Sequence, residues 1–140
     1  MGRTALCACG RLRVTVDREP VLVATCHCDY CQKRTGSAFA LIAAFPPDEV
    51  LEIEGEVSTF NGLEQDGVGP AAGGSVTYRF CPTCGSTLWW TSEGDRPLLA
   101  MAVGNFVEPD FPPPTIELNV ALRHGWVPPV PGADQFDGAR

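Results

Sequence analysis

Seven cysteines fall into three groups, and their spacing restricts what this chain can fold into more than any other feature. Cys7 and Cys9 form a C-x-C pair followed by Gly10. Cys26, Cys28 and Cys31 crowd into CHCDYC. Cys81 and Cys84 flank Pro82-Thr83 and precede Gly85. The last group has the form of a zinc knuckle. Two intervening residues let both sulfurs reach one ion, and the glycine accepts the positive φ of the turn. A redox dithiol needs its CxxC to open a helix, yet here Ser86–Trp90 (STLWW) reads as a strand. An odd cysteine count also leaves one thiol over in any all-disulfide scheme. Metal ligation is the better reading.

A closed structural zinc takes four protein ligands, so the knuckle needs two more. If the CHCDYC cluster lent two, it would strand its third. If Cys7 and Cys9 join Cys81 and Cys84, one four-thiolate site and one three-thiolate site result. Cys26, Cys28 and Cys31 then form a tripod with an open face, the arrangement of a catalytic zinc. A hidden fourth ligand (His27, Asp29 or His124) would make the second site structural instead, and absence of a second metal is the remaining alternative. In an extended segment His27 and Asp29 point away from the face that Cys26 and Cys28 share, and the chain must turn after Cys28 to bring Cys31 back.

With 140 residues the chain is expected to form one domain over 1–127, followed by a flexible C-terminal tail over 128–140. Its 15 glycines and 13 prolines favour short strands and many turns. In Arg11–Val16 (RLRVTV) alternation puts Leu12, Val14 and Val16 on one face. Val21–Ala24, Ala38–Phe45, Val76–Phe80, Thr87–Thr91, Leu98–Val103 and Ile116–Leu122 are further strand candidates. Ala38–Phe45 reads as fully buried. Val50–Ile53 and Val57–Phe60 read as a hairpin, Lys33–Gly36 as a turn, and Asn61–Ser75 as a surface loop. Trp89 and Trp90 are adjacent, so one faces each side of its strand. The fold class is mainly β, with one or two small antiparallel sheets.

A net charge of −7 without a Lys/Arg cluster argues against nucleic acid as partner. No apolar run is long enough to span a membrane and the N-terminus has no signal-peptide core, so a cytoplasmic protein is expected.

Together, C-x-C-G, C-H-C-x-x-C-Q followed by Gly36, and F-C-x-x-C-G-S resemble the glutathione-dependent formaldehyde-activating enzyme family, also called the GFA/CENP-V type. The resemblance runs from Cys7 to about Trp126. It implies a β-tent fold of small antiparallel sheets with short helical turns, stabilised by zinc. It implies two Zn²⁺ per chain, a structural ion on Cys7, Cys9, Cys81 and Cys84 and a second on Cys26, Cys28 and Cys31, with glutathione or water completing the latter. The implied reaction joins formaldehyde to glutathione as S-(hydroxymethyl)glutathione, a carbon–sulfur lyase reaction in reverse. The partners are then a small-molecule thiol and an aldehyde. Many members carry a His in the strand after the Pro-rich turn, where this sequence has Thr115-Ile116-Glu117-Leu118.

Lys33 and Arg34 follow the tripod and are candidates for holding the carboxylates of a bound tripeptide; two solvated charges are the plainer reading. The alternatives to the lyase are a non-catalytic zinc-stabilised binding module and a related enzyme using another small thiol or electrophile. A lyase needs an exchangeable position on the second ion, and a binding module does not.

Overall fold

The alternation in Arg11–Val16 buries Leu12, Val14 and Val16 almost completely, and the strand it forms, β2 (Arg13–Val16), is central to a small sheet. In the computed structural model, which describes residues 2–63, 75–93 and 97–138, β2 lies between β1 (Arg3–Leu6) and β5 (Glu52–Glu54), antiparallel to both. A second sheet has eight strands in the order β11-β10-β3-β4-β9-β8-β7-β6. These are β3 (Leu22–Cys26), β4 (Ala40–Phe45), β6 (Ser58–Leu63), β7 (Ser75–Phe80), β8 (Thr87–Ser92), β9 (Leu98–Ala102), β10 (Ile116–Leu118) and β11 (Asp134–Gln135). The chain is mainly β with short helical pieces, consistent with a β-tent-like arrangement.

The main core lies between the two sheets. Ala5, Leu12, Val14 and Val16 meet Ala43, Phe45, Leu88, Trp89, Leu99 and Met101 there, with Cys7 and Cys81 in the same cluster. Trp90 faces the other way, into a second cluster with Val76, Tyr78 and Ala100 that Tyr30 helps to cover. The two tryptophans therefore serve opposite faces of one strand, as the alternation requires.

Several expectations are corrected. The large sheet is not wholly antiparallel: β10 runs parallel to both β3 and β11. Parallel neighbours need a long crossover, and here nearly the whole domain separates β3 from β10. The segments around Gly55 do not form a hairpin, since β5 joins β2 and β6 joins β7. A Cβ on Gly55 (φ 110°) would run into the Arg11 carbonyl oxygen, so the chain crosses there between sheets rather than doubling back. Only Ala40, Ala43 and Phe45 of β4 are fully buried. Of the surface loop expected over Asn61–Ser75, residues 61–63 belong to β6 and Ser75 begins β7, and residues 64–74 lie outside the described residues.

The stretch after 128 is not a loose tail. Asp134 and Gln135 pair with β10, and the Phe136 amide donates to Glu117 O at 2.9 Å while Phe136 O accepts from Val120. Backbone groups make these bonds, which is why side-chain composition does not announce them. Where a turn was expected after the cysteine cluster, a short helix forms, α1 (Asp29–Thr35). Cys28 Sγ accepts the Cys31 amide at its start, and Gly36 closes it in the left-handed region at φ 66°. Among the described residues, no helix is long and apolar enough to cross a membrane.

Candidate metal centres

The first cysteine group is built from two tight turns brought together by the sheets. Gly10 (φ 81°) and Gly85 (φ 80°) take the positive φ that each turn demands, and their amides donate to Cys7 O at 3.0 Å and Cys81 O at 2.8 Å. The turns are stitched to each other, because the Ala8 amide donates to Ser86 Oγ at 3.0 Å. All four sulfurs lie within 4.8 Å of one another. Cys9 Sγ is 3.6 Å from Cys7 Sγ and 3.7 Å from Cys81 Sγ. Sulfurs bound at ~2.3 Å around a tetrahedral ion sit about 3.8 Å apart, so the spacing suits one ion. It is far longer than a disulfide bond of ~2.05 Å, and all seven cysteines are free.

Donors already aim at these sulfurs. The Leu12 amide points at Cys7 Sγ at 3.2 Å, and Cys84 Sγ lies 3.3 Å from Ser86 Oγ. Hydrogen bonds from the Ser86 hydroxyl and amide and the Cys9 amide hold the Cys84 thiol down to about 5.

The second group stands where β3 ends and α1 begins. Cys26 is the last residue of the strand, Cys28 the helix cap, and Cys31 lies in the first turn of the helix. Their sulfurs also lie within 4.8 Å of one another. Cys26 is buried, and Cys28 and Cys31 are half-buried. The thiols of Cys26 and Cys31, with the Cys31 and Tyr30 amides, stabilise a thiolate at Cys28 and pull it far below its ordinary value. Cys26 and Cys31 are pushed up because they donate to that thiolate and then face its charge. Three sulfurs this close can all ionise only with a cation among them, and the donor set fits one.

The candidate fourth ligands are engaged elsewhere. His27, the residue after β3, is completely buried, with its Nε2 donating to Glu117 Oε1 at 3.0 Å and its ring 5.4 Å from that of Phe39. His124 Nε2 lies 3.0 Å from Gln32 Oε1, and its ring stacks on Trp126. Among the described residues, no His, Asp or Glu joins the three sulfurs. Asn119 does approach: its Nδ2 donates to Cys26 Sγ at 3.3 Å.

Helical spacing sorts the two basic residues. Arg34 follows Cys31 by three and Tyr30 by four, so it shares their face. Its guanidinium lies 4.5 Å from the Trp90 ring centre and 5.1 Å from that of Tyr78, and its Nε is buried with no hydrogen-bond partner among the described residues. The Tyr30 hydroxyl comes so close to Gly62 of β6 that a Cβ there would collide with it. Lys33 points to solvent.

A model of the glutathione-dependent formaldehyde-activating enzyme family matches residues 2–121 of this chain. The chain belongs to that family. No curated protein sequence matches it. The family match spans both cysteine groups and ends at residue 121, so the edge strand β11 lies beyond it.

Glu117 escaped the sequence reading as a site residue, although it is only 1% exposed. Its Oε1 accepts from Thr25 Oγ1 at 2.9 Å and from His27, and its Oε2 from Gln135 Nε2 at 2.6 Å, the Val130 amide at 3.0 Å and Arg123 at 3.3 Å. The signal was a lone charge at the middle of a three-residue strand, which does not reveal its partners. Burial by itself would raise the carboxyl, but the hydrogen bonds from Gln135, Val130, His27 and Thr25 outweigh it and hold the group at about 2 instead of 4.5.

A depressed carboxyl stabilises the fold above its unfolded value and loses that contribution as pH falls through the folded one. Glu117→Gln should therefore cost about 3 kcal/mol near pH 7. The gap to the wild-type chain should close as pH falls from about 4.5 towards about 2. Denaturant melts of both chains at matched pH test this. The comparison is read at each pH where both chains still fold and hold the same metal content. A gap that stays constant across that window would show that the carboxylate's charge plays no part.

Proposed function

We propose that this chain is a zinc-dependent carbon–sulfur lyase that adds a glutathione-like thiol to an aldehyde such as formaldehyde, giving S-(hydroxymethyl)glutathione. One observation carries the reading: the first cysteine group offers four ligands and the second only three among the described residues. A structural zinc fills its shell with protein atoms, whereas a catalytic one keeps a position for water or substrate. Cys7, Cys9, Cys81 and Cys84 would hold the structural zinc, and Cys26, Cys28 and Cys31 the second. Thiolates in tetrahedral array favour zinc over harder divalent ions. When bound at the tripod, zinc supplies the Lewis acidity that keeps an incoming thiol deprotonated at neutral pH.

The chain's own residues do the positioning. Cys26, Cys28 and Cys31 would hold the ion with three sulfurs and leave a position free for the substrate sulfur. A carbon–sulfur bond then forms from that sulfur to the aldehyde carbon, the carbonyl π pair moves onto oxygen, and the thiol's proton ends on that oxygen. Nothing is oxidised or reduced. Arg34, one helical turn from Cys31 and held over Trp90 and Tyr78 with no carboxylate partner among the described residues, would take a substrate carboxylate, with exposed Lys33 the weaker contact.

Exchange of formaldehyde with glutathione, followed by NMR at equilibrium, tests the reaction. The protein should speed exchange above the uncatalysed rate. An unchanged rate, with two metal ions bound, would leave a zinc-stabilised binding domain or an enzyme with another thiol or electrophile. For a competent enzyme, Arg34→Met should raise KM for glutathione about tenfold or more, the worth of a charge-assisted hydrogen bond. It should leave KM for a small uncharged thiol nearly unchanged. Equal changes for both thiols would remove Arg34 from carboxylate recognition.

A further inference from the structure

Asn119 is the one non-glycine residue with positive φ among the described residues, at φ 56° and ψ 42°. The left-handed region costs an L-residue on the order of 1 kcal/mol, and asparagine tolerates it better than most. The conformation is held on both sides: the Asn119 amide donates to Gly138 O at 3.1 Å, and Asn119 O accepts from Leu122 at 3.0 Å. A turn alone would need only that backbone geometry, and glycine would supply it. The side chain points instead to Cys26, where Nδ2 donates to Sγ at 3.3 Å. The placement is determined from further back in the sheet, because Leu118 is in register with Cys26 on β3 and the His27 amide donates to Leu118 O at 3.1 Å. The β10–β3 pairing thus delivers an amide donor to one sulfur of the tripod.

We infer that Asn119 is a positioning residue for the tripod, whose carboxamide draws electron density from the Cys26 sulfur and keeps it a ligand rather than a nucleophile. A thiolate that donates to an ion and accepts an N–H bond is a weaker base and reacts more slowly with electrophiles. The need is chemical. A site that presents a substrate thiolate to an aldehyde also presents its own sulfurs to it, and addition at Cys26 would dismantle the site. Hydrogen bonding at Cys26 biases the competition towards the substrate. Cys28 has its own donor, the Cys31 amide at 3.4 Å. The inference rests on the reading that the tripod holds a metal ion, and not on which thiol or aldehyde the enzyme uses.

The test reads the metal site directly. In chain loaded with cobalt(II), the thiolate-to-metal charge-transfer band of the second site is isolated as the difference from Cys28→Ser protein. Asn119→Gly permits the backbone and removes the donor. Asn119→Asp keeps the shape and removes it too. Both should move that band to lower energy, and both should speed alkylation of metal-loaded Cys26 by iodoacetamide about threefold to tenfold, the worth of one hydrogen bond. In the wild-type chain loaded with a spin-½ cadmium isotope, the Asn119 side-chain protons should show scalar coupling to the metal through Cys26. This measurement stands even if a variant does not fold. Two ions per chain with no coupling, or with bands and alkylation rates equal to wild type in both variants, would overturn the inference. A stoichiometry of one ion would overturn the metal reading beneath it.

Discussion

Cys81→Ser protein should fail to hold the four-sulfur site and should unfold or aggregate under conditions where the wild-type chain is stable. Its sulfur is buried in the main core beside Cys7, and that site joins turns more than seventy residues apart in sequence. A structural zinc contributes on the order of 10–16 kcal/mol in small peptides, as much as the whole net stability of a typical domain, about 5–15 kcal/mol. Losing one of four ligands removes much of that contribution and leaves three thiols without their cation. Thermal melts with metal analysis make the check. A variant that keeps two ions and the wild-type Tm would show that these four cysteines are not the closed site.

Cys28→Ser should behave in the opposite way. Cys28 caps α1 through its side chain, and serine is among the best residues for that task, so the helix should survive the exchange. The tripod should not survive it, because two thiolates and a hydroxyl bind zinc poorly. Metal content should fall from two ions to one with Tm changed by only a few degrees. Exchange between glutathione and formaldehyde should fall a hundredfold or more, since the Lewis acidity at stake is worth several kcal/mol. A variant that lost one ion yet kept wild-type exchange would move the chemistry away from this site.

These contrasting outcomes reflect how differently the parts of the molecule are written into the chain. Local pattern carried a good deal. Alternation placed Leu12, Val14 and Val16 in the core, and adjacency alone put Trp89 and Trp90 on opposite faces. The cysteine spacings separated into the same two groups that the fold brings together. What local pattern could not carry were meetings between distant segments. Glu117 meets Thr25 and His27 from 92 and 90 positions on, and Asn119 meets Cys26 over a similar gap. Both depend on β10 lying parallel to β3, a pairing with no turn between the strands to mark it. The docking of Asp134–Gln135 is carried by main-chain groups as well as by Gln135, so a proline-rich stretch read as loose proved part of the sheet.

That parallel pairing also implies a timetable. The three sulfurs of the tripod lie within six residues, and a loop so short closes at little entropic cost, so a growing chain has them to hand early. The strand that braces them, the carboxylate behind His27 and the amide over Cys26 all come from residues 116–119. Until those residues emerge, Cys26 lacks both the strand it pairs with and the amide that donates to its sulfur. The last strands to emerge thus complete the surroundings of sulfurs made long before them.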